Sequence, residues 1–533
     1  MAATALRIAL NPSSNDGVAP RRAYSSSTVK ISTLSNTSNR TPLFSSSTLS
    51  YCGSSNHANR FRPVRVSGSS RVSGSDLHAF DVVIVGAGII GLTIARQFLL
   101  GSNLSVALVD AAVPCAGATG AGQGYIWRVH KTPESEKWEL AMRSHHLWEG
   151  LAESIQKQGM DPLLALGWKK TGSMLVGRTA EECSLLMRKV KQLADAGLGA
   201  EFLSRDDLLS EEPALKLGEE CGAAFMPDDC QLDARCAVAF IEKANRSFEA
   251  EGRYAEFYYE PVISLLRNES SGEVEGVQTS KNTLHCKKAV VIAAGCWSGS
   301  LMHDLIKNSE VELDLPVKPR KGHLLVLENF NSLNLNHGLM EVGYVNHEST
   351  VLSSTTSDTS DSRTGYDDTA SISMTATMDM SGRLVLGKLL SSDLSLCAYL
   401  NHEEVSPTVI EQMPCTMACA YFSGSSRQLV GFNTDINESI IHRIWERAGE
   451  FFPVLKEVSL KDLSKSREVR VGLRPYMPGG KPVIGPVPGI SKMLLAAGHE
   501  GEGLSLALGT AEMVFNMVLE NPQLVNPAPF LPL

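Results

Sequence analysis

Three glycines and an aspartate between residues 86 and 110 are the first candidates for a functional site. Gly86, Gly88 and Gly91 form a Gly-x-Gly-x-x-Gly pattern, and Asp110 follows nineteen residues after the last glycine. The first glycine permits a tight turn, the second lets a pyrophosphate approach the backbone, and the third lets a helix pack closely on a strand. An acid at this distance accepts hydrogen bonds from a ribose. The pattern therefore predicts a dinucleotide site.

The segments around these glycines have the pattern of a strand, a helix and a second strand. Residues 81–85 form a β-branched run typical of a buried parallel strand, 92–98 have helical spacing, and 106–109 form a second apolar strand that ends at the aspartate. A helix that begins at Ile89 and Ile90 presents free N–H groups and a partial positive charge to the phosphates.

Two later segments favour FAD over NAD as the dinucleotide. Residues 116–124 are a second glycine-rich stretch, which suits a long, extended cofactor whose flavin lies across the edge of the sheet. Residues 289–292 give another buried strand, which ends in small residues that let the chain pass close to a cofactor. The cofactor-contacting residues predicted in these two segments are Ala118, Thr119, Gly122, Gln123, Ala294 and Gly295.

Composition excludes several classes of protein. The 533 residues are 43% hydrophobic and 20% charged, with a net charge of −9, which argues against a nucleic-acid binder. The sequence holds no uninterrupted apolar run long enough for a membrane-spanning helix. The 11 cysteines include no CxxC pair, so we predict no metal site, and the Cys415/Cys419 pair is interpreted as chance.

Residues 1–75 have the composition of a targeting segment. Nine Lys or Arg stand against the single acid Asp16, and 25 of the 75 residues are Ser or Thr. A segment of this kind cannot bury enough apolar surface to fold, and it is hydroxylated, basic and poor in acids. We therefore expect a transit peptide that directs the protein to the chloroplast stroma, with the mitochondrion as the second choice.

The pattern from about residue 79 to 520 resembles the D-amino-acid oxidase superfamily of FAD-dependent oxidoreductases, in particular glycine oxidase, sarcosine oxidase and D-amino-acid dehydrogenase. The resemblance rests on the glycine motifs above, on Asp233 opening a helix, and on residues 316–323 and 472–503. It implies an α/β fold with a discontinuous Rossmann-like FAD-binding domain and a substrate domain built on a mostly antiparallel sheet. The FAD-binding domain would comprise 79–160, 225–300 and 468–525, and the substrate domain 161–224 and 301–467.

The same resemblance assigns roles to further residues. In Gly472-Leu473-Arg474-Pro475, Arg474 would clamp the carboxylate of the substrate, which suits the planar, two-pronged guanidinium. His499 begins a turn whose following helix points its amides at the flavin, and His499 is a candidate proton carrier or a shaper of that turn. Tyr476 and Tyr344 are candidate substrate-pocket groups. The remaining cofactor contacts would be Val262, facing adenine, and Gly498, Gly501, Gly503 and Leu504.

Two departures from the family pattern bear on the site. No cysteine lies near Gly472, where a covalent flavin link would need one, so we expect FAD to be noncovalent. The usual Arg-Gly-Gln is replaced by Lys321-Gly322-His323, which leaves the exact substrate open.

The middle of the chain carries two unusual segments. Residues 349–382 contain 22 Ser, Thr or Asp among 34 residues, and we interpret them as a polar surface loop. Residues 388–424 separate two family-like strands, and two interpretations stay open: a retained in-frame intron of 37 codons or a genuine insertion loop. A helix is predicted over 440–452, capped by residues 433–435.

Together these observations predict an FAD-dependent oxidoreductase that oxidises the C–N bond of a small amino acid or N-alkyl amino acid by hydride transfer to flavin N5. Oxygen or an electron carrier would then re-oxidise the flavin. Two alternatives stay open: a dehydrogenase of a 2-hydroxyacid or glycerol 3-phosphate, and a flavin-binding protein without turnover.

Overall fold

The computed structural model describes residues 78–307, 311–328, 330, 332–342, 372–380, 382–390 and 431–532. The predicted transit peptide, Tyr344, and most of the 349–382 and 388–424 segments lie outside these residues.

The first of the two large sheets is built around a parallel centre. Strand β1 (His78–Val85) pairs in parallel with β2 on one side and with β12 on the other. Buried apolar side chains cover both faces of the sheet, which explains why its central strands are continuous apolar runs. The other strands are β2 (Val106–Asp110), β9 (Tyr254–Tyr258), β10 (Val262–Arg267), β11 (Val274–Thr279), β12 (Thr283–Ile292), β18 (Val483–Pro486) and β19 (Met493–Ala497).

The second sheet is mostly antiparallel and has the order β17-β13-β16-β15-β14-β5-β7-β6. Its one parallel pair joins β14 to β5. The predicted fold class, a Rossmann-like FAD-binding part and a substrate part with a mostly antiparallel sheet, is therefore confirmed. The strands are β5 (Ser173–Gly177), β6 (Glu201–Leu203), β7 (Gly222–Met226), β13 (Lys318–Leu327), β14 (Gly338–Glu341), β15 (Ile372–Met378), β16 (Leu384–Leu390) and β17 (Arg467–Tyr476).

A small sheet and nine helices complete the described part of the chain. In the small sheet, β8 (Cys230–Gln231) lies between β3 (Tyr125–Ile126) and β4 (Lys169–Lys170). The helices are α1 (Ile89–Gly101), α2 (Trp138–Lys157), α3 (Pro162–Leu166), α4 (Ala180–Asp195), α5 (Arg205–Glu211), α6 (Ala234–Arg246), α7 (Ser298–Ile306), α8 (Glu438–Phe451) and α9 (Gly503–Val518). Within the described ranges, none of these helices combines the length and apolarity needed to cross a membrane.

The structure corrects two of the sequence predictions. Within the predicted polar loop, residues 372–378 form strand β15 in the middle of the second sheet, between β14 and β16, with Met374, Thr375, Ala376 and Thr377 all buried. The hydroxyl side chains are accommodated because Thr375 and Thr377 bond to the Gln123 amide. Helix α8 is capped by Asn437, whose side chain accepts from the Ser439 N–H, and not by residues 433–435.

One boundary also differs from the predicted domain ranges. Strand β17 pairs with β13 along all ten of its residues and so belongs to the second sheet, although its range was assigned to the FAD-binding domain. In the 388–424 segment, strand β16 continues through Leu390 in register with β15. The rest of that segment lies outside the described residues, so its origin stays a prediction.

Candidate active site

The turn between β1 and α1 requires glycine at two of the three predicted positions. Gly86 has φ of +116°, and a Cβ there would lie 2.3 Å from the carbonyl oxygen of Ala293. A Cβ on Gly91 would lie 1.9 Å from the carbonyl oxygen of Gly86. A Cβ on Gly88 would approach the Thr119 hydroxyl to 3.3 Å. Because these positions have no side chains, the backbone can make this turn at the start of helix α1 without a steric collision.

The Asp110 carboxylate holds this turn in place. Its two oxygens accept hydrogen bonds from the Ala87 N–H at 2.6 Å and from the Ala112 N–H at 2.7 Å. The Thr119 hydroxyl accepts a third bond in this region, from the Ile89 N–H at 3.2 Å. The ribose contact of Asp110 stays a prediction, and the structure gives the residue a part in loop geometry as well.

A cavity of about 610 Å³ lies at this turn and extends to strands β13, β16 and β17 of the second sheet. Most of the residues predicted to contact cofactor or substrate line it. They are Gly86, Gly88, Ile89, Ile90, Asp110, Ala118, Thr119, Gly122, Gln123, Val262, Ala294, Gly295, Arg474, His499, Gly501, Gly503 and Leu504.

Three predicted site residues are not part of the cavity lining. Gly91 serves helix packing, and a Cβ on Gly498, where φ is +78°, would strike the Met477 side chain at 2.4 Å. The Tyr476 ring lies against the Arg320 guanidinium, whose Cζ is 3.8 Å from the ring centre. Tyr476 was expected in the substrate pocket, but its side chain instead supports a neighbouring cation.

Arg474 is the cation that remains available to a ligand in the cavity. Its cross-strand neighbour Arg320 bonds to the Glu500 carboxylate at 2.7 Å, whereas Arg474 has no ion-pair or side-chain hydrogen-bond partner within the described part of the chain. Gly322 lies beside it, and a Cβ on that glycine would come within 3.3 Å of the guanidinium. The missing side chain therefore leaves room for the guanidinium to turn toward an anion.

His499 is held as a neutral structural group. It is buried, its Nε2 is 3.0 Å from the Thr510 hydroxyl, and burial lowers its pKa to about 3. An imidazole with such a pKa is uncharged near neutral pH and is a weak base, so it is poorly suited to give or take a proton there. Of the two roles considered for His499, this environment favours the shaping of the turn over proton transfer.

Several lining residues were missed by the sequence analysis. Tyr125 follows the glycine-rich stretch, and Trp297 follows the small residues at the end of β12. The sequence analysis predicted cofactor contacts among the small residues of these stretches but did not select the two aromatic residues. Thr375 and Gly387 lie on β15 and β16, inside or beside segments interpreted as loop or insertion. The alternation of apolar and hydroxyl residues over 372–378 was the available signal for a strand.

The cavity fits a dinucleotide on structural grounds. Helix α1 has glycine at its N-cap, so no N-cap side chain bonds to its first turn. The Ile89 N–H donates to Thr119, which leaves the Ile90 and Gly91 N–H groups for an anionic ligand. Helix α9 likewise begins at the cavity without a side-chain cap, at Gly503 and Leu504. Two uncapped helix N-termini at one cavity suit a ligand that carries negative charge at two separated places.

Comparison with known proteins identifies the family. Residues 81–517 match the family model described as DAO, FAD dependent oxidoreductase. Glycine oxidase of Bacillus subtilis is 24% identical over 442 residues, covering 83% of this chain and 93% of the relative. Glycine oxidase of Geobacillus kaustophilus is 29% identical over 252 residues, which span 47% of this chain and 62% of the relative.

The fold comparison agrees with this assignment. The crystal structure of glycine oxidase from Geobacillus kaustophilus superposes with a TM-score of 0.62 at 21% identity, covering 86% of this chain and 99% of that one. At this identity the superposition shows the fold alone, and the family match covers most of both large sheets. The chain is an enzyme that uses FAD, and it belongs to the DAO family of FAD-dependent oxidoreductases.

Proposed function

We propose that this enzyme oxidises the C–N bond of a small amino acid or N-alkyl amino acid. The observation that carries the proposal is the Arg474 guanidinium, which lines the cavity without an internal carboxylate partner. A planar guanidinium binds a carboxylate through two parallel hydrogen bonds, which fix its distance and its orientation. Bound FAD supplies the acceptor for a hydride from the substrate Cα, so Arg474 would act by orienting the Cα–H.

An amine substrate suits the titratable groups of the cavity better than an alcohol. Oxidation of an alcohol needs a base that takes the hydroxyl proton, whereas a neutral amine can release hydride with the help of its own lone pair. Among the described cavity-lining residues, His499 is the only imidazole, and it is buried, hydrogen-bonded to Thr510 and neutral. Of the four lining carboxylates, three accept hydrogen bonds from other residues of the protein and the fourth is exposed: Asp110, Glu260 and Glu500, and Asp304. We therefore assign no general base.

The relatives support the same substrate class. Two of the relatives found by sequence comparison are glycine oxidases, whose substrate is an amino acid. One relative favours the alternative chemistry, since human mitochondrial L-2-hydroxyglutarate dehydrogenase is 26% identical over 283 residues. Oxidation of a 2-hydroxyacid or glycerol 3-phosphate is therefore the alternative that the experiment must distinguish.

The test is anaerobic reduction of the enzyme-bound flavin, followed by its absorbance. The panel contains glycine, sarcosine, proline, D- and L-amino acids, 2-hydroxyacids and glycerol 3-phosphate. We expect an amino acid to bleach the flavin, and Arg474→Ala to weaken its binding by about 100-fold, because the carboxylate loses a charge-assisted pair. Arg467→Ala is the matched control, since Arg467 lies on the same strand but pairs with Glu438.

The outcomes separate the alternatives. Bleaching by hydroxyacids alone would move the enzyme to C–O oxidation. Equal effects of the two arginine substitutions would remove Arg474 from substrate binding. Adding oxygen or an artificial electron acceptor to the reduced enzyme would then identify which of the two re-oxidises the flavin.

We also propose the chloroplast stroma as the location, on the composition of residues 1–75 alone. A fluorescent protein fused after residue 76 should accumulate in plastids of transfected plant cells. Accumulation in mitochondria would support the second choice, and diffuse cytosolic fluorescence would contradict both.

A further inference from the structure

A second cluster of ligand-type side chains lies away from the cavity, between helix α2 and the small sheet. His145 and Glu149 are one helical turn apart on α2, and Cys230 lies on strand β8. One ligand atom from each of the three lies within 4.8 Å of the other two. Residues four apart on a helix share a face, which is the spacing that many helical metal sites use.

The histidine of this cluster has an unsatisfied nitrogen. Its side chain is only 5% exposed, and its Nδ1 lies 3.4 Å from Glu149 Oε2. Its Nε2 has no hydrogen-bond partner among the described residues. A buried ring nitrogen without a hydrogen-bond partner calls for an explanation, and a bound cation would supply one.

The cysteine and its surroundings are compatible with a cation. The Cys230 thiol is buried and makes only a weak 3.6 Å contact with the Asp228 carbonyl oxygen. The two nearby cations each have an acidic partner, Asp229 for Arg128 and Asp228 for Lys170, although Arg128 Nη2 has no hydrogen-bond partner among the described residues.

We propose that His145, Glu149 and Cys230 form a binding site for a divalent transition metal, with zinc as the best match. One imidazole nitrogen, one carboxylate oxygen and one sulfur form a mixed set that suits zinc, with water completing a tetrahedron. The Cys230 thiol releases its proton to solvent as the sulfur–metal bond forms, so two anionic ligands balance the charge of the ion. Donors around tetrahedral zinc are about 3.6 Å apart, so the ligand atoms must close by roughly 1 Å. The Glu149 side chain is 40% exposed and so has the freedom to turn inward.

The position of the cluster indicates a structural role. Strand β8 pairs Cys230 with Ile126 and Gln231 with Tyr125, and Tyr125 lines the cavity. None of the three cluster residues lines the cavity. A bound ion would thus tie helix α2 to the strand that supports one wall of the active site. We expect metal removal to lower the thermal stability of the enzyme while FAD stays bound.

The test uses the full-length, FAD-loaded protein after treatment with a chelator and dialysis into metal-free buffer. Zinc chloride is titrated, and bound zinc is measured by mass spectrometry. When cobalt replaces zinc, a tetrahedral site should give absorption bands at wavelengths longer than those of the flavin. X-ray absorption of the zinc form should show one sulfur at about 2.3 Å and nitrogen or oxygen at about 2.0–2.1 Å from the metal. We expect one zinc per chain.

Matched variants make the assignment specific. Cys230→Ala and Glu149→Gln should each weaken zinc binding by about tenfold or more. His146→Gln, on the exposed neighbour of His145, and Cys286→Ala, at another buried cysteine, should not. Should Cys230→Ala fail to fold, the partly exposed Glu149 still decides the result. Zinc well below one per chain, absorption data without sulfur, or undiminished binding in Glu149→Gln would overturn the proposal.

Discussion

Replacing Gly86 by alanine tests whether backbone geometry at the first turn is what permits FAD binding. The substitution places a residue with a side chain at a backbone φ of +116°. A backbone conformation of this kind costs about 1–3 kcal/mol for a residue other than glycine. The new Cβ would also lie 2.3 Å from the Ala293 carbonyl oxygen and 2.6 Å from its carbon, and overpacking costs a further 1–3 kcal/mol or so. The expected total is about 4 kcal/mol.

The strain should affect cofactor binding as well as stability. Ala293 and Ala294 line the cavity, so the shift that relieves the collision moves the wall of the FAD site. Unfolding entropy of about 2.1 cal/mol/K per residue over roughly 400 ordered residues converts 4 kcal/mol into a loss of about 5 °C in Tm. We expect Gly86→Ala to purify largely without FAD and to need an excess of FAD for reconstitution.

The assay is flavin content after purification, together with a melt monitored by the fluorescence of released flavin. Gly150→Ala is the matched control, because Gly150 lies inside helix α2 and a Cβ there would meet nothing within 4 Å. That control should raise stability by about 0.5–1 kcal/mol. Full FAD content in Gly86→Ala, with a Tm within about 1 °C of the parent, would show that the turn accommodates a side chain at this position.

Three further predictions rest on other contacts. Gly322→Ala places a Cβ 3.3 Å from the Arg474 guanidinium, and we expect the KM for the substrate to rise about tenfold; an unchanged KM at full FAD content would contradict this. Asp233→Ala removes two 2.9 Å cap bonds from helix α6 and should destabilise the protein by about 1 kcal/mol in denaturant titrations, whereas Asp233→Ser should recover most of the loss. Because the pKa of His499 falls to about 3 on folding, the unfolded chain binds more protons between about pH 3 and 6.5, and stability falls on acidification. His499→Gln should reduce that slope by about 1.4 kcal/mol per pH unit, and equal slopes in denaturation across this range would contradict the prediction.

Features of the fold that depend on neighbouring residues could be predicted from the sequence. The turn at Gly86 and the start of helix α1 depend on neighbouring residues, and so does the Asp233 cap, which bonds to N–H groups two and three positions along the chain. The long apolar runs also identified the central strands of the first sheet, because a strand covered on both faces has no polar side to obscure the pattern. These features predicted a dinucleotide cofactor and a parallel sheet, whereas the Asp233 cap and the antiparallel substrate sheet were implied by the family resemblance.

Features that depend on residues distant in the chain could not be predicted from the sequence. Strand β15 is buried because β14 and β16 flank it in the sheet. Its polar composition suggested a loop, since composition does not show which strands lie beside a segment. Arg474 remains available because the Glu500 carboxylate pairs with Arg320, 180 residues earlier in the chain. The cluster of His145 and Cys230 joins a helix to a strand far along the sequence. Charge pairing and burial are set by which elements meet in space, and residue spacing along the chain carries little information about that.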